Sequence, residues 1–181
     1  RVQAWSVPEP DRPADVLGHT ALALAAAGRK SDAHRVTELL SARGADPTAR
    51  GWTRLIEATL LDGPSAASRR IPAGLTAIEL DGANAQSYYI LGRAYRDVGE
   101  IDLAIRALQA AAAAAPNWAE PVALGARILA ESGRLPSAVA AARAAEARGS
   151  SEAGVRLLLA MLNADSEAAG GADLEVRLQR E

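Results

Sequence analysis

The chain has no cysteine and no phenylalanine, and among its 181 residues stand only three tryptophans, three tyrosines, two histidines and one methionine. Without thiols there is no disulfide framework, no thiolate nucleophile and no cysteine-ligated metal site, and the redox compartment is left open. His19 and His34 have no partner at metal-ligand spacing, so they read as structural or surface groups. Phosphate-cradling Gly-x-x-x-x-Gly-Lys, the Gly-x-Ser-x-Gly elbow and His-Glu-x-x-His are all missing, which leaves no catalytic, cofactor or metal residue to name. The expectation is a non-enzyme.

A net charge of −2 and a pI near 5.8 provide no broad basic field for a nucleic acid backbone. No stretch approaches the roughly 20 uncharged apolar residues that span a bilayer, and the start of the chain, Arg1 to Ser6, lacks an apolar signal core. A soluble protein of the cytoplasm or periplasm is expected. With no initiator methionine, the chain is also expected to be an excised or processed piece of something longer.

What is present is apolar and helix-forming. Hydrophobic residues make up 49% of the chain, mostly Ala and Leu, which lose little side-chain freedom in a helix. Gly99, Ala104 and Ala111 recur as Gly133, Ala138 and Ala145, and Arg93 recurs as Arg127, a period of 34 residues. A fixed period of that length means stacked helical hairpins. Helical spacing, cut by turn signals, predicts nine helices at about 14–27, 31–43, 48–61, 65–80, 84–97, 101–114, 119–132, 136–148 and 151–163. They pair as helix A then helix B, with a last unpaired A-like helix.

The turns carry the pairing. Gly28, Gly99 and Gly133 each close an A helix, where a left-handed residue serves the last carbonyls, and each is followed five residues on by Ala33, Ala104 or Ala138. Pro47 and Pro116 mark exits between hairpins. Between Gly63 and Asp81 the spacing runs long, and Pro72-Ala-Gly74 predicts a kink or a late start for that B helix. Residues 1–13 contain Pro8, Pro10 and Pro13 and read as an extended lead-in, with Trp5 packed on the first hairpin. Residues 164–181 read as a charged cap or linker, leaving 14–163 as the repeat domain.

Ala85 to Asn117 closely resembles a tetratricopeptide repeat: Tyr88, Leu91, Gly92, Tyr95, Gly99, Ala104, Leu108, Ala111 and Pro116 fall at the family's signature places. Residues 119–149 keep Ala126, Leu129, Gly133, Ala138 and Ala145 but carry Val122 and Gly125 where larger residues are usual. Residues 14–47 and 49–83 look like degenerate versions marked by Gly28, Ala33 and Trp52. Gly44 to Pro47 with Gly51 to Leu55 resembles the turn of an ankyrin repeat, but Ile56 stands where that family has histidine. The tetratricopeptide resemblance implies an all-α, right-handed superhelical solenoid of four hairpins plus a terminal helix.

It also implies a protein-interaction adaptor that binds a peptide or protein segment in a groove lined by the A helices. By alignment the groove places are Arg50, Thr53, Arg54 and Glu57, then Gln86, Tyr89, Arg93 and Arg96, then Glu120, Leu124, Arg127 and Glu131. Arg54, Arg93, Arg96 and Arg127 would form a basic patch for a carboxylate, with Tyr89 adding a flat apolar contact, so the implied peptide is acidic. Glu57, Asp97, Glu120 and Glu131 stand close enough to neutralise these cations. Tyr89, Arg93 and Leu124 replace the Lys and Asn clamp with which some chaperone adaptors of the family hold a terminal carboxylate. The alternative is a recruitment or dimerisation domain of a larger enzyme. A homo-oligomer packing the alanine-rich faces Ala110 to Ala115 and Ala138 to Ala145 is also open.

Overall fold

The computed structural model describes residues 10–61, 66–81, 84–152, 154–156 and 159–160. Among these residues there is no strand, and the helices run α1 Ala14–Ala26, α2 Lys30–Ser41, α3 Pro47–Leu60, α4 Ala66–Asp81, α5 Ala85–Asp97, α6 Ile101–Ala114, α7 Glu120–Glu131 and α8 Leu135–Ala147. Residues 154–156 and 159–160 are helical as well. The first nine residues, with Trp5, and the segment 164–181 lie outside the described residues. So does part of the expected helix at 151–163.

The helix ends follow from local chemistry. Gly28, Gly99 and Gly133 take φ of 75°, 86° and 74°, and the next amide reaches back to the helix: Arg29 N to Leu24 O at 2.8 Å, Glu100 N to Tyr95 O at 2.9 Å, Arg134 N to Leu129 O at 2.9 Å. This six-to-one bond closes each A helix on a residue that needs no Cβ and turns the chain into its B helix. Gly149 repeats the arrangement after α8, with φ of 82°. At helix starts, Asp46 accepts from Thr48 N at 2.9 Å and Asn84 from Gln86 N at 2.8 Å; each satisfies one free amide of the first turn.

Consecutive helices pack as hairpins, α1 with α2, α3 with α4, α5 with α6 and α7 with α8. The chain divides into two compact units, Arg1–Ala114 and Ala115–Glu181. In the first, α1 and α2 also pack on α3, and α4 packs on α5. Its core joins Leu17, Leu24, Val36 and Leu40 to Trp52, Leu55 and Ile56. Trp52 is only 1% exposed, and its indole N–H donates to Asp15 Oδ1 at 2.9 Å, so the one polar atom of a large apolar group is satisfied. Its ring fills the place that a side chain at Gly18 would need: a Cβ there would stand 2.1 Å from Trp52 Cδ2. Gly92 plays the same part in the third hairpin, where a Cβ would meet Leu108 Cγ at 2.8 Å.

The second unit is built more thinly. Ala123 and Ala126 of α7, Ala142 and Ala145 of α8, and Val155 form its core cluster. Ala138, Ala142 and Ala145 are fully buried, so these alanines are spent on packing within the hairpin.

Of the kink or late start expected for the second B helix, the late start is excluded. Helix α4 does not start late: it begins at Ala66 and runs through Pro72. Proline removes the donor that would bond the carbonyl of Ser68, an exposed residue. The turn before it is held from outside. Ala66, Ala67 and Ala77 are buried, and Arg70 donates from Nε to Ala58 O at 3.1 Å and from Nη2 to Leu61 O at 2.6 Å. Both carbonyls lie at the end of α3, where Ala58 O otherwise accepts only a long 3.4 Å bond from Leu61 N.

Candidate functional site

Within the first unit, α1, α3 and α5 line an open cleft of about 330 Å³. Helix α5 contributes Gln86, Tyr89, Ile90 and Arg93, which recur at three- and four-residue spacing and so share one face. The rest of the helix turns Ser87, Leu91 and Ala94 into the interior. Helix α1 supplies Leu22, Ala25 and Ala26 by the same periodicity; Lys30 and Thr59 complete the lining. The floor is therefore apolar and the rim polar.

Arg93 stands over the Tyr89 ring, its guanidinium carbon 6.0 Å from the ring centroid. Such a stack at an exposed site contributes about 0.5–1 kcal/mol and fixes the direction of a long side chain. Among the described residues Arg93 makes no ion pair, although Asp97 lies one turn further along the same helix. The Asp97 carboxylate is held elsewhere: Arg96 binds it at 2.6 Å and Arg70 at 3.5 Å. Arg93 and Ile90 also line a smaller cavity of about 30 Å³ together with Thr59 and Arg70.

The other anticipated cations are engaged. Arg54, on α3, binds Glu57 at 3.1 Å with 60% of its side chain exposed. Arg96 is bonded to its neighbour Asp97 through Nε at 3.0 Å and Nη2 at 2.6 Å. Arg127 belongs to the second unit, where Nη1 reaches Glu152 at 2.9 Å and Nε stands 4.0 Å from Glu131. The cleft thus brings together Tyr89 and Arg93 of the anticipated residues, along with the groove place Gln86. Leu124, expected on the exposed face of α7, is 4% exposed and belongs to the interior.

Sequence reasoning missed Leu22, Ala25, Lys30, Thr59 and Arg70. The apolar three- and four-residue spacing of Leu22, Ala25 and Ala26 on α1 was a usable signal for part of the lining; nothing local marks Arg70. Among the described residues no group of three or more histidine, cysteine or acidic side chains could hold a metal ion, and no helix is long and apolar enough to cross a membrane.

No family model matches the chain, and no curated protein matches it. Solved structures do. A thermophilic TPR protein of Thermus thermophilus, TTC0263, is similar with a TM-score of 0.60 at 21% identity, over 85% of this chain and 83% of its own. MamA RS-1, solved as an ArsTM double mutant, is similar with a TM-score of 0.54 at 18% identity, over 78% of this chain and 77% of its own. The fold is all-α and of the tetratricopeptide type, built from helix-turn-helix hairpins.

Proposed function

We propose that the chain is a protein-interaction module whose α1–α3–α5 cleft takes an extended peptide segment pairing an apolar side chain with a carboxylate. The observation that supports this most directly is Arg93, stacked on Tyr89 at the mouth of the cleft and without an ion-pair partner among the described residues. A guanidinium so placed offers a two-pronged grip to a carboxylate, worth more than a neutral hydrogen bond. Leu22, Ala25 and Ile90 offer the apolar seat, and the Gln86 amide can both donate to and accept from a peptide backbone.

In this reading Tyr89 and Arg93 are the principal contacts. Arg54, Arg96 and Arg127 are secondary cations, because a ligand must first compete with the carboxylates they already hold. The hairpins use their signature residues for packing and leave the A-helix faces for recognition.

The test is a selection from a randomised peptide display library on the wild-type protein and on Arg93→Glu. Enrichment of apolar-acidic sequences by the wild type, lost with the variant, is the expected result. Equal enrichment by both proteins, or selection of basic sequences by the wild type, would overturn the reading.

A further inference from the structure

We infer that Arg70, which does not line the cleft, sets the affinity of that cleft for anions by holding Asp97 away from Arg93. The inference rests on the cleft reading above and concerns how that site is kept open. On an isolated helix, Arg93 and Asp97 would be natural partners one turn apart, a spacing at which opposite charges attract. The fold prevents this pairing with two other cations. Arg96 takes the carboxylate through Oδ1 at 2.6 Å, and Arg70 reaches Oδ2 from α4 at 3.5 Å.

Arg70 is itself fixed. Its Nε and Nη2 are spent on Ala58 O and Leu61 O, leaving Nη1 directed at Asp97. Only 20% of its side chain is exposed, so it cannot swing out to meet a ligand. The remaining charged groups near Arg93 do not replace it: Glu57 is bound to Arg54, and Lys30 at the rim is a cation. Arg70 is therefore a positioning residue. It anchors the end of α3 and, through Asp97, leaves Arg93 on its tyrosine.

The experiment is a double-mutant cycle read by fluorescence anisotropy with a labelled probe peptide, acetyl-Leu-Leu-Glu-Glu-Leu. Arg70→Gln should weaken probe binding about twofold, the scale of a helix ion pair regained between Arg93 and Asp97. In the Asp97→Asn background the same change should alter binding by less than about 1.5-fold, because no carboxylate remains to capture Arg93. An equal penalty in both backgrounds, or none in either, would overturn the inference. Arg93→Gln is measured alongside: if it leaves probe binding unchanged, the cleft reading itself fails, whereas a loss with Arg93→Gln and an additive cycle removes only the role of Arg70. Should Arg70→Gln not fold, Arg70→Lys keeps the charge. Binding within about 1.5-fold of wild type supports the inference, and a larger loss contradicts it.

Discussion

Arg93 and Arg127 occupy the same place in successive repeats, yet they meet opposite circumstances. Arg93 lies on a tyrosine ring beside an apolar cleft, and its nearest carboxylate along the helix is held by two other arginines. Arg127 has Val155 and Gly154 for neighbours at a small cavity and is engaged by Glu131 and Glu152. Repeat register decides where a cation points. Its neighbours decide whether it is available, and two of them, Arg70 and Glu152, come from outside the cation's own helix.

The two units differ in their interiors in a parallel way. The first is organised around one large, hydrogen-bonded indole packed on a glycine; the second is filled mostly by alanines, with Leu124, Ile128 and Val155 as its larger buried aliphatic side chains. A single aromatic gives the first unit most to lose. Trp52→Ala should cost about 3–5 kcal/mol, because it empties a large buried volume and leaves Asp15 without its donor. Urea unfolding followed by circular dichroism checks this, and a loss under about 1.5 kcal/mol would show that the core does not depend on the ring.

The glycines sharpen the contrast with smaller steps. Gly18→Ala should destabilise by about 1–2 kcal/mol net, since overpacking against Trp52 exceeds the helix propensity that alanine brings. Gly125→Ala in the second unit should do the reverse, gaining about 0.5–1 kcal/mol, because the backbone is helical and a Cβ there meets nothing within 4 Å. Thermal melts of the two variants side by side test the sign as well as the size.

Smallest of all is the ion pair. Glu152→Gln should lower stability by only a few tenths of a kcal/mol, because the Arg127 side chain is 47% exposed and solvent screens the pair. The more telling readout is binding of the acetyl-Leu-Leu-Glu-Glu-Leu probe. If pairing is what silences Arg127, the Glu131→Gln, Glu152→Gln protein should bind the probe more tightly than wild type, and an unchanged affinity would break the comparison.

Much of the fold was legible because the same short-range rules recur. Glycine at the ends of α1, α5 and α7, alanine five residues on, and proline at two of the exits mark the hairpins to within one or two residues. The late start allowed at Pro72 is not taken because α4 is supported by buried alanines and by Arg70 bonding to α3, contacts that no local pattern announces. The site was legible in its third repeat, where the signature is intact and register places Tyr89 and Arg93 on one face. The contributions of α1 and α3, Leu22, Ala25 and Thr59, were not, since the first two repeats are degenerate and their register drifts. Leu124 was misplaced for a related reason: α7 turns that position inward. The availability of Arg93 and the pairing of Arg127 depend on Arg70 on the preceding helix and on Glu152 beyond α8, neither of which local sequence marks.

The most direct measurement is the affinity of the probe peptide for Arg93→Gln and Arg127→Gln, each beside wild type at the same salt concentration. The account predicts a loss of about tenfold at Arg93, the worth of one charge-assisted bond in a partly enclosed site, and a change within twofold at Arg127. Equal losses at the two positions, or no loss at Arg93, would contradict it.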